Sequence, residues 1–426
     1  TWLLVAMALP LSRLQLALTC FLAALGAWLG SSSDPDLLLA WATQLLRPSA
    51  LPVSGEREER PSDERHGPLP STVYARGLVN RRVRAASVLH EHQAFFHNTS
   101  SRAFAGVAVG FASPWAARAD ETVWRFSRKL THVAPVLFEA TAAGGVRSTI
   151  GEHAGRRWLR WLRAATRSAA GRQAWPRLTP LVSLERLDLL HYFTGEGAEA
   201  RAGELLLSLQ TALLTMKLDG FVLHAHAHLA WLTLEDRRLV QPKLHVFVQL
   251  LAAQLSGEDA ELLLLVPPHP GLFSATEFNQ LHEALGGVIL ATANFSAVKA
   301  TPGPSAPISW MKRALTELNP SEEASSKLAV TLPMVGWDFA LPDGPGTPVD
   351  SQRYLRLLSR HKNTWLEWDA AGSEHVFKYH ADGVEHALYY ASLRGLAERL
   401  GVLRQLKVGF AIWELGTTLD YFYDLL

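Results

Sequence analysis

Eight short apolar segments recur along this chain, and their alternation with helical patterns restricts the fold more than any other feature. Each segment is long enough for one buried strand, and amphipathic stretches such as 202–216 and 243–255 separate most of them. This alternation is typical of a parallel sheet, and eight repeats favour a closed (β/α)8 TIM barrel over an open doubly wound sheet. The predicted strands are residues 105–112, 130–139, 177–184, 220–227, 262–267, 287–294, 328–337 and 408–415.

One connection in this pattern is too long for a single helix. Between the seventh and eighth predicted strands, three strand-like segments lie between two helical patterns. The segments are 364–369, 374–379 and 385–390, and they predict a small antiparallel sheet. We therefore expect an antiparallel α+β insertion at about residues 362–392, within a barrel domain that spans residues 96–426.

Residues 1–30 are almost wholly apolar and end in small residues, which predicts a signal peptide or, if uncleaved, a signal anchor. We therefore expect a protein of the secretory pathway, extracellular or lysosomal, that contacts a membrane only through this segment. The only cysteine, Cys20, lies within it, so the processed chain is expected to fold without a disulfide.

Residues 31–95 are predicted to form a linker and an N-terminal extension, because Pro, Ser, Glu and Arg dominate their first part. The formal net charge of the whole chain is only +1. Since a nearly neutral chain has no global field that attracts nucleic acid, we expect no nucleic-acid partner. Nothing in the sequence calls for a cofactor, and we expect none.

The fourth predicted strand carries histidines at its C-terminal end, where the active sites of parallel barrels collect. Alternate residues of a strand share one face. Val222, His224 and His226 are therefore predicted to point inward together, with His228 just beyond them.

Two interpretations of these histidines remain open beside the simplest one, in which they are hydrogen-bonded and hold no metal. A His-x-His pair is able to hold zinc when further donors join it, and Asn294 or Glu139 would have to do so here. Alternatively, the imidazoles gain charge between neutral and lysosomal pH. We expect no metal, and keep His224, His226 and His228 as the candidate ligands.

Several segments of the chain resemble glycoside hydrolase family 18, and in particular its divergent chitinase domain-containing branch. They are Asp219-Gly220-Phe221, Trp368-Asp369, Ser373-Glu374-His375, Ile412-Trp413-Glu414-Leu415-Gly416 and Leu419-Asp420-Tyr421-Phe422-Tyr423-Asp424-Leu425-Leu426. The resemblance runs from about Val73 to the C-terminus, and the closing segment is its most specific part. It implies a TIM barrel that binds oligosaccharides of the chitin type.

The acidic residues that this family uses for hydrolysis are replaced in this chain. Active members carry Asp-Gly-x-Asp-x-Asp-x-Glu, which has three acidic positions after the Gly. The last of the three, the Glu, protonates the glycosidic oxygen, and the middle one, an Asp, holds the substrate's acetamide. Those three positions match Val222, His224 and His226. A second element, Met-x-Tyr-Asp, matches a segment in which Ala293 and Asn294 replace its last two residues. The resemblance therefore implies that ordinary chitin hydrolysis is lost, with no catalytic residue retained.

Aromatic residues of a sugar site are retained. Trp413 matches the tryptophan that stacks under the central sugar in the family, and a flat ring suits the C–H face of a pyranose. Phe111 and Trp115 end the first predicted strand, at the same end of the barrel. The alternative for each ring is that it simply fills the barrel. The predicted substrate-binding residues are Trp413, Phe111, Trp115, Trp337, Asp338, Asn294 and Glu414.

Two segments have the pattern of an N-glycosylation site. Asn98-Thr99-Ser100 lies just before the barrel and is predicted to carry a glycan. Asn294-Phe295-Ser296 ends the sixth predicted strand, where a glycan would crowd the site, so we expect it to be unused.

Three hypotheses about function follow. The first, which we favour, is a secreted or lysosomal chitinase-like protein that binds chitooligosaccharides without the family's catalytic acids. The second is a glycosidase with rebuilt chemistry, in which Glu414, Asp338 or a histidine is the acid. The third is a protein-interaction scaffold that binds a receptor of the scavenger type, because the resemblance extends to a family with a member of that kind. A barrel fold alone does not choose between them.

Overall fold

A computed structural model describes residues 64–167, 175–293, 295–298, 301–342, 344 and 346–426. The predicted signal segment, residues 31–63 of the predicted linker and Asn294 lie outside the described residues. In chain order the strands are β1 (Val83–Arg84), β2 (Ala108–Ala112), β3 (His132–Ala140), β4 (Val146–Ser148), β5 (Arg177–Leu178), β6 (Leu181–Ser183), β7 (Gly220–His224), β8 (Glu261–Val266), β9 (Gly287–Leu290), β10 (Leu328–Pro333), β11 (Gly336–Ala340), β12 (Gly346–Val349), β13 (Trp365–Asp369), β14 (Glu374–Ala381), β15 (Val384–Tyr389) and β16 (Gly409–Leu415).

The helices lie between these strands in the order expected of a βα repeat. They are α1 (Ala85–Glu91), α2 (Ala119–Phe126), α3 (Glu152–Arg167), α4 (Leu189–Thr194), α5 (Ala198–Met216), α6 (Leu234–Ser256), α7 (Ala275–Leu281), α8 (Phe295–Val298), α9 (Ile308–Leu318), α10 (Glu322–Ser325), α11 (Ser351–Arg360) and α12 (Leu393–Leu406). In the part of the chain that the structure describes, no helix has the length and apolar content needed to cross a membrane.

Eight parallel strands close into a barrel, which confirms the predicted fold class. The strands pair in the order β2, β3, β6, β7, β8, β9, β10 and β16, and β16 then pairs with β2. All eight correspond to the segments predicted from the sequence. The interior is a packed core of small and branched side chains, including Val222, Leu263 and Ala329, and a second, larger cluster lies between the strands and the helices.

The Asp219-Gly220 pair has a structural role at the start of β7. The backbone N–H of Leu178 donates to a carboxylate oxygen of Asp219 at 2.8 Å. Gly220 has a φ of +142°. A Cβ atom on Gly220 would lie 2.0 Å from the carbonyl oxygen of Glu261, so only glycine allows β7 and β8 to approach this closely.

An antiparallel sheet is inserted between the seventh and eighth barrel strands, as predicted, but it includes more of the chain than the three predicted segments. Its strand order is β1, β13, β14, β15, β11 and β12, so part of the N-terminal extension forms one edge. The seventh barrel strand ends at Pro333, and residues 336–340 pair with β12 and β15 instead. The prediction of a seventh strand that reaches Trp337 was therefore wrong, because the apolar pattern continues across the boundary between two sheets.

The closing segment of the chain holds the N-terminal extension and α2 in place. A carboxylate oxygen of Asp424 accepts a hydrogen bond from the backbone N–H of Phe96 at 2.7 Å, and Arg76 lies 3.3 Å from the same carboxylate. Asp420 is paired with Arg118 at 2.9 Å and with Arg125 at 2.8 Å. The segment that gives the resemblance its specificity is thus buried and structural.

Candidate functional site

The barrel mouth, defined as the end of the barrel where its strands finish, contains the positions that match the family's acids. Val222 belongs to the interior cluster, and His224, two residues later on β7, lies beside Ser183 of β6. His224 is fully buried, and neither of its ring nitrogens has a hydrogen-bond partner among the described residues. Burial lowers its pKa well below the usual range, so the ring is neutral at physiological pH.

The expectation that His226 shares the inward face of His224 was wrong. Strand β7 ends at His224, and His226 begins a 3-10 helix that spans His226–Trp231. Because the alternation of a strand stops there, the ring of His226 packs edge-on against Phe273, which belongs to the outer cluster, with centroids 5.2 Å apart. His228 turns back instead, and its ring centroid lies 5.3 Å from that of His224.

This arrangement does not support a pH switch based on the three histidines. Burial lowers the pKa of His226 and of His228 to about 4. Both therefore stay neutral at lysosomal pH, contrary to the hypothesis that they gain charge there. Within the described ranges, no group of three or more His, Cys, Asp or Glu side chains is arranged to hold a metal ion.

Trp413 and Phe111 form an aromatic pair at the centre of the barrel mouth. Their ring centroids are 4.7 Å apart and their planes are inclined by 51°. Phe111 is completely buried, whereas Trp413 is half-buried. Phe111 thus packs against the ring of Trp413, and of these two rings only that of Trp413 has exposed surface for a ligand.

Glu414 adjoins Trp413 but is enclosed. Only 5% of its surface is exposed, and one carboxylate oxygen accepts a hydrogen bond from the hydroxyl of Ser113. Burial raises the pKa of Glu414 to about 8, so the group is protonated at neutral pH. The strand is irregular at this point, because two residues of β16 lie opposite one residue of β2.

Trp337 and Asp338, which were predicted at the tip of a barrel strand, lie on β11 of the inserted sheet. Trp337 is 5% exposed. The carboxylate of Asp338 accepts a hydrogen bond from the hydroxyl of Tyr379 at 2.7 Å. Its oxygens also lie 3.2 Å from Nδ1 of His386 and 3.4 Å from Arg353. Asp338 is therefore occupied by contacts within the insertion.

The end of the sixth barrel strand is described only up to Ala293. The backbone N–H of Ala293 donates to the hydroxyl of Thr331 at 2.9 Å, and the hydroxyl of Thr292 donates to the carbonyl oxygen of Thr331 at 2.9 Å. These bonds fix the strand end against β10. Asn294, the next predicted site residue, lies outside the described residues.

An open cleft that the sequence did not reveal is lined by residues of β3, β4 and β6 and by the segments that follow β2 and β6. It has a volume of about 520 Å³ and reaches Val136 and Leu181 of the interior cluster. Trp115, which is 40% exposed, lines it. The polar and charged residues that line it are Glu139, Arg147, Ser148, Thr149, Ser183, Glu185 and Arg186.

A second cavity of about 330 Å³ shares Glu185 with this cleft. Asp188, His228 and Trp231 also line it, and Trp231 is 45% exposed. Glu185 therefore borders two cavities, one lined by Trp115 and the other by Trp231. The position of Glu185 directly after a barrel strand was the one signal in the sequence that could have identified it.

The two carboxyl groups of the cleft, those of Glu139 and Glu185, have different charged neighbours and different degrees of burial. Glu139 is paired with Arg147 at 2.9 Å and with Arg186 at 3.3 Å. Glu185 is half-buried, and its pKa is raised to about 7 by burial, opposed by the charge of Arg186 and reinforced by that of Glu139. One open site therefore contains an ion-paired carboxylate and a carboxyl group that is largely protonated below neutral pH.

The predicted glycosylation site lies on the surface before the barrel. Asn98 is partly exposed, and its side-chain oxygen accepts hydrogen bonds from the backbone N–H groups of Ser100 and Ser101 at 3.2 and 3.0 Å. The hydroxyl of Ser100 donates to the same oxygen at 3.1 Å. The glycan at Asn98 stays a prediction.

Comparison with solved structures supports the same fold. A chitinase from Chromobacterium violaceum superimposes with a TM-score of 0.60 at 20% identity, covering 75% of this chain and 98% of the chitinase. The spore cortex-lytic enzyme SleL of Bacillus cereus gives 0.60 at 14% identity, covering 76% and 74%. A family GH18 chitinase from Cycas revoluta, solved with (GlcNAc)3, gives 0.57 at 14% identity, covering 75% and 97%.

Sequence comparison gives a weaker link. The chain is 24% identical over 119 residues to YdhD of Bacillus subtilis strain 168, a protein named as a sporulation-specific glycosylase. The match covers 27% of this chain and only 28% of that protein. The sequence matches no model of a known protein family. The chain therefore shares the barrel architecture of glycoside hydrolase family 18 chitinases.

Proposed function

We propose that this chain is a chitinase-like protein of glycoside hydrolase family 18 that binds chitooligosaccharides without the family's catalytic acids. The observation that carries the proposal is the half-buried Trp413, supported by Phe111, at a barrel mouth where Val222, His224 and His226 replace the matching acids. A supported indole face binds the apolar face of a sugar, but a neutral histidine with a lowered pKa is a poor general acid.

The structural neighbours support chitooligosaccharides as the ligand class in this proposal. One structural neighbour, the Cycas revoluta chitinase, was solved with (GlcNAc)3 and also with allosamidin. The motifs shared with the chitinase domain-containing branch, in particular the closing segment, support placing this chain in that branch. We extend the proposal to chitinase domain-containing protein 1 as a relative that this chain resembles in those motifs.

The site of action is proposed to be the secretory pathway, with the protein extracellular or lysosomal. The apolar segment of residues 1–30 and the partly exposed Asn98 sequon support this proposal. We expect enzymatic removal of N-glycans to lower the mass of the secreted protein, and Asn98→Gln to abolish that shift. An unchanged mass after glycosidase treatment of the secreted protein would contradict the use of Asn98.

The test of binding is calorimetric titration of the purified protein with GlcNAc oligomers. We expect a saturating isotherm that is lost in Trp413→Ala. The matched control is Trp124→Ala, because Trp124 is 62% exposed on α2, on the outer layer of the barrel. Equal loss in both variants would contradict a site at Trp413. If the unaltered protein gives no binding isotherm with GlcNAc oligomers, the proposal is overturned and the hypothesis of a receptor-binding scaffold is favoured.

A further inference from the structure

Two glutamic acids near the barrel mouth have a raised pKa, but only one is accessible to a ligand. Glu414 is 5% exposed and is bonded to Ser113. Glu185 is half-buried and lines both the 520 Å³ cleft and the adjoining 330 Å³ cavity. A general acid must come within hydrogen-bond reach of the atom that it protonates, so access distinguishes the two groups.

We propose that Glu185 is a proton donor in this cleft and gives the chain a slow glycosidase activity on the oligosaccharides that it binds. The proposal rests on the binding function above and adds a reaction to it. It places the acid on the loop after β6, whereas the family motif places it after β7, at the position that His226 occupies in this chain.

The geometry suits a sugar chain laid across the cleft. Trp115 lines one of the two cavities that Glu185 borders and Trp231 lines the other, and the two side chains are 40% and 45% exposed. Rings of this kind stack on pyranose units, so a chain held by both would place a linkage between them near Glu185. Ser183, Thr149 and the guanidinium groups of Arg147 and Arg186 offer hydrogen bonds to sugar hydroxyls.

The charged groups in the cleft suit a proton donor at Glu185. The groups that line the two cavities around Glu185 are Glu139 on β3, Arg147 on β4, Arg186 and Asp188 on its own loop, and His228 after β7. Burial and the negative charge of Glu139 keep the proton on Glu185 up to about pH 7. The carboxylate of Glu139 lines the same cleft but is paired with Arg147 and Arg186, which leaves Glu185 as the proton donor.

The reaction balances with water as the only co-reactant. Glu185 gives its proton to the glycosidic oxygen as the bond from that oxygen to the anomeric carbon breaks, and the leaving sugar departs as an alcohol. Water from the open cleft adds to the cationic anomeric carbon and gives a proton to the ionised Glu185. The carboxyl group is restored, and the products are two shorter sugars.

The test measures binding and cleavage on the same preparations. GlcNAc hexamer is incubated with the unaltered protein, with Glu185→Gln and with Glu414→Gln, and products are quantified by mass spectrometry while calorimetry records binding. We expect cleavage to fall about 100-fold or more in Glu185→Gln, as for other general acids, with binding kept. Glu414→Gln tests the competing assignment, and it should keep detectable cleavage because that carboxyl group is enclosed. The matched control Glu283→Gln, at an exposed carboxylate just after α7, should cleave as the unaltered protein does. Cleavage by the unaltered protein should decline above about pH 7.

Each other outcome is decisive. Binding without cleavage in the unaltered protein overturns the proton-donor role and leaves the binding function intact. Absence of both overturns the binding function on which this inference rests. Cleavage that survives Glu185→Gln but disappears in Glu414→Gln overturns the assignment to Glu185.

Discussion

The inserted sheet and the barrel mouth both bury ionisable side chains, but only the insertion pairs them. Where α12 packs on the insertion, Arg399 of that helix is completely buried and its Nη1 lies 3.0 Å from the carboxylate of Glu374 on β14. The same guanidinium donates to the carbonyl oxygens of Ala306 at 2.8 Å and Ser373 at 2.9 Å. At the mouth, His224 has no hydrogen-bond partner among the described residues.

This difference separates structural groups from candidate functional groups. A buried polar group that has all its partners holds a fold together, whereas one without partners costs free energy that the rest of the structure must offset. The motif Ser373-Glu374-His375 therefore has a structural role, which is to stabilise the insertion. His224, whose two ring nitrogens have no partner among the described residues, indicates that the mouth contains a buried group that costs free energy.

The largest expected effect is loss of the buried ion pair. Arg399→Met leaves the carboxylate of Glu374 buried without its charge partner, so the free energy of unfolding should fall by about 3–5 kcal/mol. Urea denaturation followed by fluorescence measures it. Removing both charges in Glu374→Leu/Arg399→Met should recover at least half of that loss, because no unpaired charge remains.

The control for this experiment is Arg394→Met on the same helix. Arg394 pairs with Glu398 at 2.8 Å, but its side chain is 36% exposed. An exposed pair of this type contributes about 1 kcal/mol or less. If Arg394→Met and Arg399→Met lower the free energy of unfolding equally, the stability of the insertion does not depend on the burial of its charges. The contrast between the insertion and the mouth would then not hold.

The barrel could be predicted from the sequence, but the limits of its strands could not. Eight apolar segments are enough to identify a closed parallel sheet, because each strand is buried on both faces. Where β7 ends, however, depends on pairing with β6 and β8, which stops at His224. The positions of His226 and Trp337 were mispredicted for this reason, since no local pattern changes at either boundary.

The site was predictable only in part because accessibility is a tertiary property. Trp413, Phe111 and Trp115 could be named from their positions at strand ends, and the structure brings all three to the mouth. Glu414 and Glu185 look alike in sequence, as each lies at or just beyond the end of a barrel strand. Only the fold shows that one is enclosed and the other lines an open cleft.

The second prediction concerns stability at acid pH. The pKa of His226 and of His228 is about 4 in the folded state, below the usual 6.5, so the unfolded chain binds more protons between these values. Their contribution to stability is therefore present above about pH 6.5 and is lost as pH falls towards 4. At pH 5 the loss is about 2 kcal/mol for each histidine.

The variant His226→Leu/His228→Leu isolates this effect from other titrating groups. The unaltered protein should lose about 4 kcal/mol more than the variant between pH 7.5 and pH 5, as measured by denaturant unfolding at each pH. His153→Leu/His380→Leu, which changes two exposed histidines, should track the unaltered protein. Parallel pH profiles for all three proteins would mean that the histidines at the mouth are solvated.

Glu414 should have the opposite pH dependence. Its folded pKa of about 8 exceeds the usual 4.5, so the stability that it contributes is present below pH 4.5 and is lost as pH rises towards 8. Glu414→Gln cannot ionise and should be more stable than the unaltered protein by about 3 kcal/mol at pH 7, with little difference at pH 4.5. A difference that does not change with pH would contradict the enclosed position of this carboxyl group.

The smallest expected effect is the most direct test of the unpaired mouth. His224→Leu replaces a fully buried imidazole, which has no partner among the described residues, with an apolar side chain of similar size. Removing an unsatisfied polar group in this way should leave the free energy of unfolding unchanged or raise it by about 1 kcal/mol at pH 7.5. Most substitutions of buried residues lower stability, so an unchanged or increased free energy of unfolding would distinguish His224 from an ordinary buried residue. If thermal and urea unfolding instead show that the free energy of unfolding falls by about 2 kcal/mol or more, His224 is hydrogen-bonded in solution. The polar groups of the mouth would then stabilise the fold as those of the insertion do.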